Sequence, residues 1–131
     1  MSMSKEAVQK KMKDGNTVVL EVFPKDSFEK RHISGSDSLE FGQNLRGFAL
    51  AVEKKYGKEK FFITYCANRA DFLSSRNAAR VLKEQGFRAE DYPGGTQEWS
   101  EAGFPIEGTE AAFFTAFVGP PPPPPKQKSG K

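Results

Sequence analysis

The segment KFFITYC, residues 60–66, decides the fold, and it ends in the only cysteine of this 131-residue chain. An almost unbroken apolar run of this length is typical of a strand buried on both faces, as in a parallel sheet. A second run of the same kind, TVVLEVF, occupies residues 17–23 and is ended by Pro24. Two such strands need helices on both faces of the sheet, so we expect an α/β domain.

Helical segments alternate with these strands along the chain. Ser4 is placed to cap a first helix, and Ser74 or Ser75 to cap a later helix that stops at Gly86. Between them, apolar residues recur at helical spacing and predict a further helix. The buried face of that helix would carry Leu45, Phe48, Ala49 and Val52.

The remaining segments predict shorter elements. Leu39 and Phe41 indicate a brief strand, residues 87–92 another, and a short helix holds Trp99. The whole alternation is typical of a mainly parallel sheet, whose ligand crevice lies beyond the carboxyl ends of its strands. Cys66 stands at such an end, so it is the first candidate for a functional residue.

Composition excludes several classes of protein. Hydrophobic residues make up 37% and charged residues 28%, which is ordinary for a globular domain, and the net charge of +3 predicts no nucleic-acid partner. A single cysteine and a single histidine rule out a disulfide framework and a metal site built from sulfur and imidazole. Without an apolar leader or a bilayer-spanning stretch, we expect a cytoplasmic protein that binds no membrane. If a leader peptide was removed from the chain, we expect a periplasmic protein instead.

The residues after Cys66 form a strand–cysteine–loop–helix arrangement. Backbone N–H groups at the start of a helix and its partial positive charge stabilise a thiolate, which lowers a thiol pKa and raises its nucleophilicity at neutral pH. Arg69 and Arg76 can add positive charge. The segment therefore predicts a reactive cysteine in an anion-binding loop.

The motifs around this loop resemble those of the rhodanese-like family. Tyr65-Cys66 is similar to the family's "YC" strand end, residues 78–87 to its "AAxxLxxxGF" helix, and residues 94–105 to its "GGxxxW…AGxP" finish. Upstream, residues 18–22 are similar to the "LIDVR" strand and residues 31–36 to the "GHIPGA" turn. The resemblance implies a three-layer α/β domain over residues 1–108, with a central, mainly parallel, five-stranded sheet flanked by helices.

The resemblance also implies a sulfurtransferase or persulfide carrier. Cys66 would take a sulfane sulfur from thiosulfate or a persulfide, hold it as a persulfide, and pass it to a thiophilic acceptor, a small molecule or a protein thiol. No cofactor or metal is implied, and we expect a monomer. The residues expected to bind substrate are Ala67, Asn68, Arg69, Ala70, Asp71, Phe72, Leu73, Ser74 and Arg76.

The loop departs from the family's commonest form. Five residues after Cys66 that form has an arginine, preceded by a glycine; here Asp71 occupies the position and the loop has no glycine. The spacing to Gly86 also makes the loop about three residues longer than the common form, and Phe23 replaces the arginine of "LIDVR". An anionic Asp71 near the sulfur would raise the thiol pKa unless Arg69 offset it.

Two other functions fit the same fold. A phosphatase or arsenate reductase needs an arginine six residues after its cysteine to hold a tetrahedral oxyanion, and Phe72 occupies that position here. A non-catalytic protein-binding module is the stronger alternative, because the loop is altered.

The C-terminal residues lie outside the resemblance. Residues 109–119 contain Phe113, Phe114 and Phe117, which predict an apolar extension that packs on the domain. Residues 120–125 are an unbroken proline run followed by a basic end, typical of a stiff, disordered tail. This tail fits a partner with a proline-binding groove, although we favour a spacer.

Overall fold

A computed structural model describes residues 3–41, 45–66 and 72–110, with the backbone alone for residues 45, 46, 72 and 73. The elements follow one another as α1 (Lys5–Met12), β1 (Thr17–Glu21), α2 (Lys25–Lys30), β2 (His32–Ile33), β3 (Asp37–Ser38), α3 (Leu45–Tyr56), β4 (Phe61–Tyr65), α4 (Phe72–Glu84), β5 (Arg88–Tyr92), α5 (Gly95–Glu101) and β6 (Ile106–Glu107).

The central sheet has the strand order β3-β1-β4-β5, and every neighbouring pair is parallel. This confirms the expected α/β class with a mainly parallel sheet. The described sheet has four strands where we expected five. The two-residue strands β2 and β6 pair with each other in antiparallel orientation instead of joining it.

The sheet separates two apolar clusters, because successive side chains of a strand point to opposite faces. On one face Leu20, Phe62 and Ala89 pack against α3 and α4, and on the other Val19, Ile63 and Tyr92 pack with Trp99 of α5. Trp99 is buried, and its indole N–H donates to the Pro105 carbonyl at 2.9 Å. Both faces of β4 are thus covered, which explains its apolar sequence.

The structure confirms one of the predicted helix caps, whereas the other predicted cap and the residues predicted for the brief strand are wrong. Ser4 caps α1, accepting a hydrogen bond from the Ala7 N–H at 3.1 Å. Neither Ser74 nor Ser75 caps α4, which already begins at Phe72. The brief third strand pairs through Asp37 and Ser38 rather than through Leu39 and Phe41, since it is these two residues that lie in register with the end of β1.

No helix within residues 3–41, 45–66 and 72–110 is long and apolar enough to cross a bilayer. The predicted apolar extension and the proline tail lie outside the described residues, which end at Glu110.

Candidate active site

Cys66 follows the last residue of β4 at the carboxyl edge of the sheet. The chain runs from β1 outward to the edge strand β3 and then returns to β4 on the other side of β1. A parallel sheet opens a crevice beyond its strand ends at such a reversal of strand order. The topology therefore places the only cysteine where this fold class binds ligands.

Backbone hydrogen bonds hold the cysteine from two sides. The Val22 N–H donates to the Tyr65 carbonyl at 3.0 Å, and the Thr96 N–H donates to the Cys66 carbonyl at 3.2 Å. Gly95 adopts a φ of 66°, a left-handed value that favours glycine, and this turns the chain immediately before Thr96. The turn at Gly94 and Gly95 thus brings the Thr96 N–H to the Cys66 carbonyl, which explains why a glycine is needed there.

Cys66 is reduced and almost completely buried, with 1% of its surface exposed. It belongs to the apolar cluster on the α3 and α4 face, which also contains Val22, Phe41 and Ala78. A reagent therefore reaches its sulfur only if neighbouring groups move aside.

The structure describes only part of the predicted substrate-binding set. Ala67, Asn68, Arg69, Ala70 and Asp71 lie outside the described residues, so their predicted roles stay predictions. Phe72 and Leu73 are the first two residues of α4, Ser74 is half-buried, and Arg76 is exposed.

The early start of α4 changes the interpretation of Arg76. A cap at Ser74 or Ser75 would have placed it in the first turn, but it is the fifth helical residue and lies beyond the reach of the positive helix end. Its charge instead acts on the carboxyl of Asp91 in β5.

Two buried acids near this edge were not predicted from the sequence. Glu21, the last residue of β1, is 0% exposed, and neither of its carboxylate oxygens accepts a hydrogen bond of normal geometry from the described residues. Burial raises the pKa of Glu21 to about 7, against the weaker opposing effects of Ser27, Tyr65 and Arg31.

Asp91 is the second buried acid, with 4% of its surface exposed. Burial raises the pKa of its carboxyl above the usual range, while a hydrogen bond from Ser75 and the charge of Arg76 oppose the shift. A polar residue within an otherwise apolar strand was the available signal. Thr64 interrupts β4 in this way, and Asp91 is its partner on β5.

Comparison with known proteins identifies the family. A sequence profile described as the Rhodanese-like domain matches residues 4–102. No curated protein gives a significant match to the chain.

Solved structures share the fold at low sequence identity. The BH2092 protein from Bacillus halodurans is 25% identical, with a TM-score of 0.69 over 85% of this chain and 79% of that one. The Rhodanese-like domain of the Alr3790 protein from Anabaena sp. is 18% identical, with a TM-score of 0.67 over 83% and 80%.

A third structure is EanB with a cysteine persulfide in a tetrahedral intermediate state with ergothioneine. It is 15% identical, with a TM-score of 0.69 over 82% of this chain and 28% of that one. Since the family profile spans residues 4–102 of the 131-residue sequence, this chain belongs to the rhodanese-like domain family.

Proposed function

We propose that this chain is a sulfurtransferase or persulfide carrier and that Cys66 is its nucleophile. The observation that carries the proposal is the place of Cys66, at the carboxyl end of β4 beside β1 and ahead of helix α4. The family membership supports it, and so does the neighbour whose cysteine carries a persulfide.

The proposed reaction has two displacements and needs no external oxidant or reductant. The Cys66 thiolate attacks the sulfane sulfur of thiosulfate, a sulfur–sulfur bond forms, and sulfite leaves with the electron pair of the bond that breaks. An acceptor thiolate or cyanide then attacks the outer sulfur of the persulfide, and the Cys66 thiolate leaves. A persulfide donor reacts in the same way, with its own thiolate as the leaving group. Such double displacement predicts ping-pong kinetics.

The N-terminus of α4 is a suitable environment for the thiolate and persulfide anions of this reaction. N–H groups of the first helical turn have no partner within the helix, and they stabilise a nearby negative charge together with the helix dipole. Both the thiolate and the persulfide are anions, so the same groups would favour both states of Cys66.

One observation favours a second candidate, a rhodanese-fold module that binds a partner without catalysis. Cys66 is 1% exposed and packs in an apolar cluster, as an inert structural thiol does. The two candidates differ in the accessibility of its sulfur.

Intact mass spectrometry after incubation with thiosulfate, and separately with a low-molecular-weight persulfide, tests the proposal. We expect a gain of ~32 Da that dithiothreitol removes, corresponding to the one sulfur added in the covalent step. Peptide mapping should assign the gain to Cys66, the only cysteine. The better donor defines the class of enzyme.

No gain with either donor, together with slow alkylation of Cys66 in the folded protein, would contradict the enzyme and favour the binding module.

Asp71→Asn is expected to raise the reactivity of the thiol at neutral pH. The substitution removes a negative charge five residues after Cys66, and a nearby negative charge disfavours a thiolate. The measurement is the pH profile of Cys66 alkylation, whose midpoint should move to lower pH. Asp37→Asn, on an edge strand, is the matched control and should leave the profile unchanged. An Asp71→Asn profile identical to that of the wild type would show that Asp71 does not act on the sulfur.

A further inference from the structure

Glu21 is a buried acid that the proposed reaction does not use. It is the last residue of β1, it is 0% exposed, and neither carboxylate oxygen accepts a hydrogen bond of normal geometry from the described residues. Such a carboxyl group is costly, because burial removes its water without replacing the lost hydrogen bonds. An apolar side chain would avoid that cost, so stability does not account for an acid at this position.

The strand register brings Glu21 next to Cys66. Glu21 and Tyr65 are partner positions of the parallel strands β1 and β4, and Cys66 directly follows Tyr65. The Val22 N–H donates to the Tyr65 carbonyl at 3.0 Å, so the pairing continues to the end of β4. With a strand spacing of about 4.8 Å and a rise of about 3.3 Å per residue, the Cα atoms of Glu21 and Cys66 lie about 6 Å apart.

The two side chains lie on opposite faces of the sheet at the same edge. Cys66 belongs with Val22 to the apolar cluster on the α3 and α4 face, whereas Tyr65 belongs to the cluster on the other face. Partner residues of neighbouring strands point to the same face, so Glu21 shares the face of Tyr65. The height of the two side chains above their faces brings the carboxylate to roughly 9 Å from the sulfur.

At this separation a buried charge still acts on a thiolate. Both groups are shielded from solvent, since Glu21 is 0% and Cys66 1% exposed. For two unit charges about 9 Å apart, an effective dielectric constant of about 20 gives roughly a twentyfold change in an ionisation equilibrium. Because both groups are anionic when ionised, each disfavours the ionisation of the other.

The ionisable groups that act on Glu21 within the described part of the chain are Tyr65 of β4 and Arg31, directly after α2. Tyr65 stays neutral, because burial raises the pKa of its hydroxyl well above the usual range. The Arg31 guanidinium favours the carboxylate, but its Nη1 also lies 3.8 Å from the Glu110 carboxylate. Burial has the larger effect and raises the pKa of Glu21 to about 7, so the carboxyl changes its charge close to neutral pH.

We propose that Glu21 controls the ionisation of the Cys66 sulfur: its carboxylate, across the carboxyl edge of the sheet, disfavours the thiolate and the persulfide anion, and its protonation removes that effect. Glu21 acts through its charge, because a fully buried carboxyl contacts neither donor nor acceptor. This inference rests on the proposed function only in taking Cys66 as the reacting group.

Alkylation of Cys66 by iodoacetamide from pH 5.5 to pH 8.5 tests the proposal in the full chain. The quantity of interest is the rate constant of Glu21→Gln divided by that of the wild type. Below about pH 6 Glu21 is neutral in the wild type, so the two rate constants should agree. The ratio should then rise through a midpoint near pH 7 to about fivefold. It stays below the change in ionisation because a thiolate of lower pKa is a weaker nucleophile.

Glu40→Gln is the matched control, because it removes an exposed acid next to Leu39, whose N–H donates to the Glu21 carbonyl. Water and salt screen that charge, so this variant should match the wild type at every pH. A merely structural effect of Glu21→Gln would give a ratio that does not depend on pH. Opening of the site by the charge of Glu21 would speed alkylation of the wild type as the pH rises, so the ratio would fall. Either result would overturn the proposal.

A reciprocal measurement needs no substitution. Iodoacetate leaves a negatively charged group on Cys66, whereas iodoacetamide leaves a neutral group of nearly the same size. Because coupling between two sites is mutual, the charged adduct should raise the midpoint of the Glu21 titration by about one pH unit relative to the neutral adduct. The titration is followed by NMR of the Glu21 carboxyl carbon. Equal midpoints would overturn the proposal, also where Glu21→Gln fails to fold.

Two further readouts complete the test. Where the buried sulfur resists both reagents, the ultraviolet absorbance of the thiolate, assigned by its loss in Cys66→Ala, should show a midpoint about one pH unit lower in Glu21→Gln. An unchanged midpoint would overturn the proposal. Sulfur loading is scored separately. Loading that is absent while the coupling is present refutes only the proposed function, and coupling that is absent while Cys66 still loads sulfur refutes only the role of Glu21.

Discussion

Replacement of Cys66 by serine or alanine is expected to abolish sulfur transfer, by about a thousandfold or more. The reaction requires a covalent sulfur–sulfur bond to this side chain, and the chain has no second cysteine to replace it. The measurement is turnover of thiosulfate and of a persulfide with cyanide or a thiol acceptor. Equal activity of the variants and the wild type would refute the assignment of Cys66.

Two variants are needed because Cys66 is buried among apolar residues. Serine places a hydroxyl in this cluster, whereas alanine keeps the site apolar and leaves a small void, and we expect each to cost about 1–2 kcal/mol. Both costs are small against the usual stability of a domain, so both variants should fold. Thermal unfolding of each variant provides the control for loss of structure.

Glu21→Gln is expected to abolish much of the pH dependence of stability between pH 4.5 and pH 7. The pKa of Glu21 is about 7 in the folded protein and about 4.5 in the unfolded chain, so in this window the folded state keeps a proton that the unfolded state loses. The contribution of Glu21 to the free energy of unfolding is fully present below pH 4.5. It decreases as the pH rises from 4.5 through 7, and it does not change further at higher pH. The wild type therefore loses about 3 kcal/mol of its free energy of unfolding over this pH range. The variant does not, because glutamine has no ionisable group.

Urea unfolding at pH 4.5, 6 and 8 measures this difference. The free energy of unfolding of Glu21→Gln should rise relative to that of the wild type by about 3 kcal/mol across the series. The raised pKa of Asp91 adds a slope of the same sign, but it is present in both proteins and cancels. Glu53→Gln, at an exposed position of α3, is the matched control and should leave the pH dependence unchanged. Parallel curves for Glu21→Gln and the wild type would contradict the prediction.

Part of the site could be predicted because it depends on local order along the chain. The apolar run through Tyr65 predicts a strand, Gly86 ends a helical pattern, and a cysteine between them falls at a strand end. The structure has this order, with β4 before Cys66 and α4 after it. The start of α4 was predicted less well, because Ser74 and Ser75 are good capping residues and nothing local shows that the helix begins earlier.

The sequence by itself determined the α/β class, the family and the position of Cys66 at a strand end, because hydrophobic periodicity and motif spacing are properties of neighbouring residues. Only the tertiary structure decided that Cys66 is buried, that Glu21 is excluded from water, and that the Thr64 hydroxyl donates to the Ser75 carbonyl beside the buried Asp91. Thr64 and Asp91 are 27 positions apart in the chain and meet only through the register of β4 and β5. Burial and pairing of this kind arise when distant segments pack together, so local sequence patterns do not contain them.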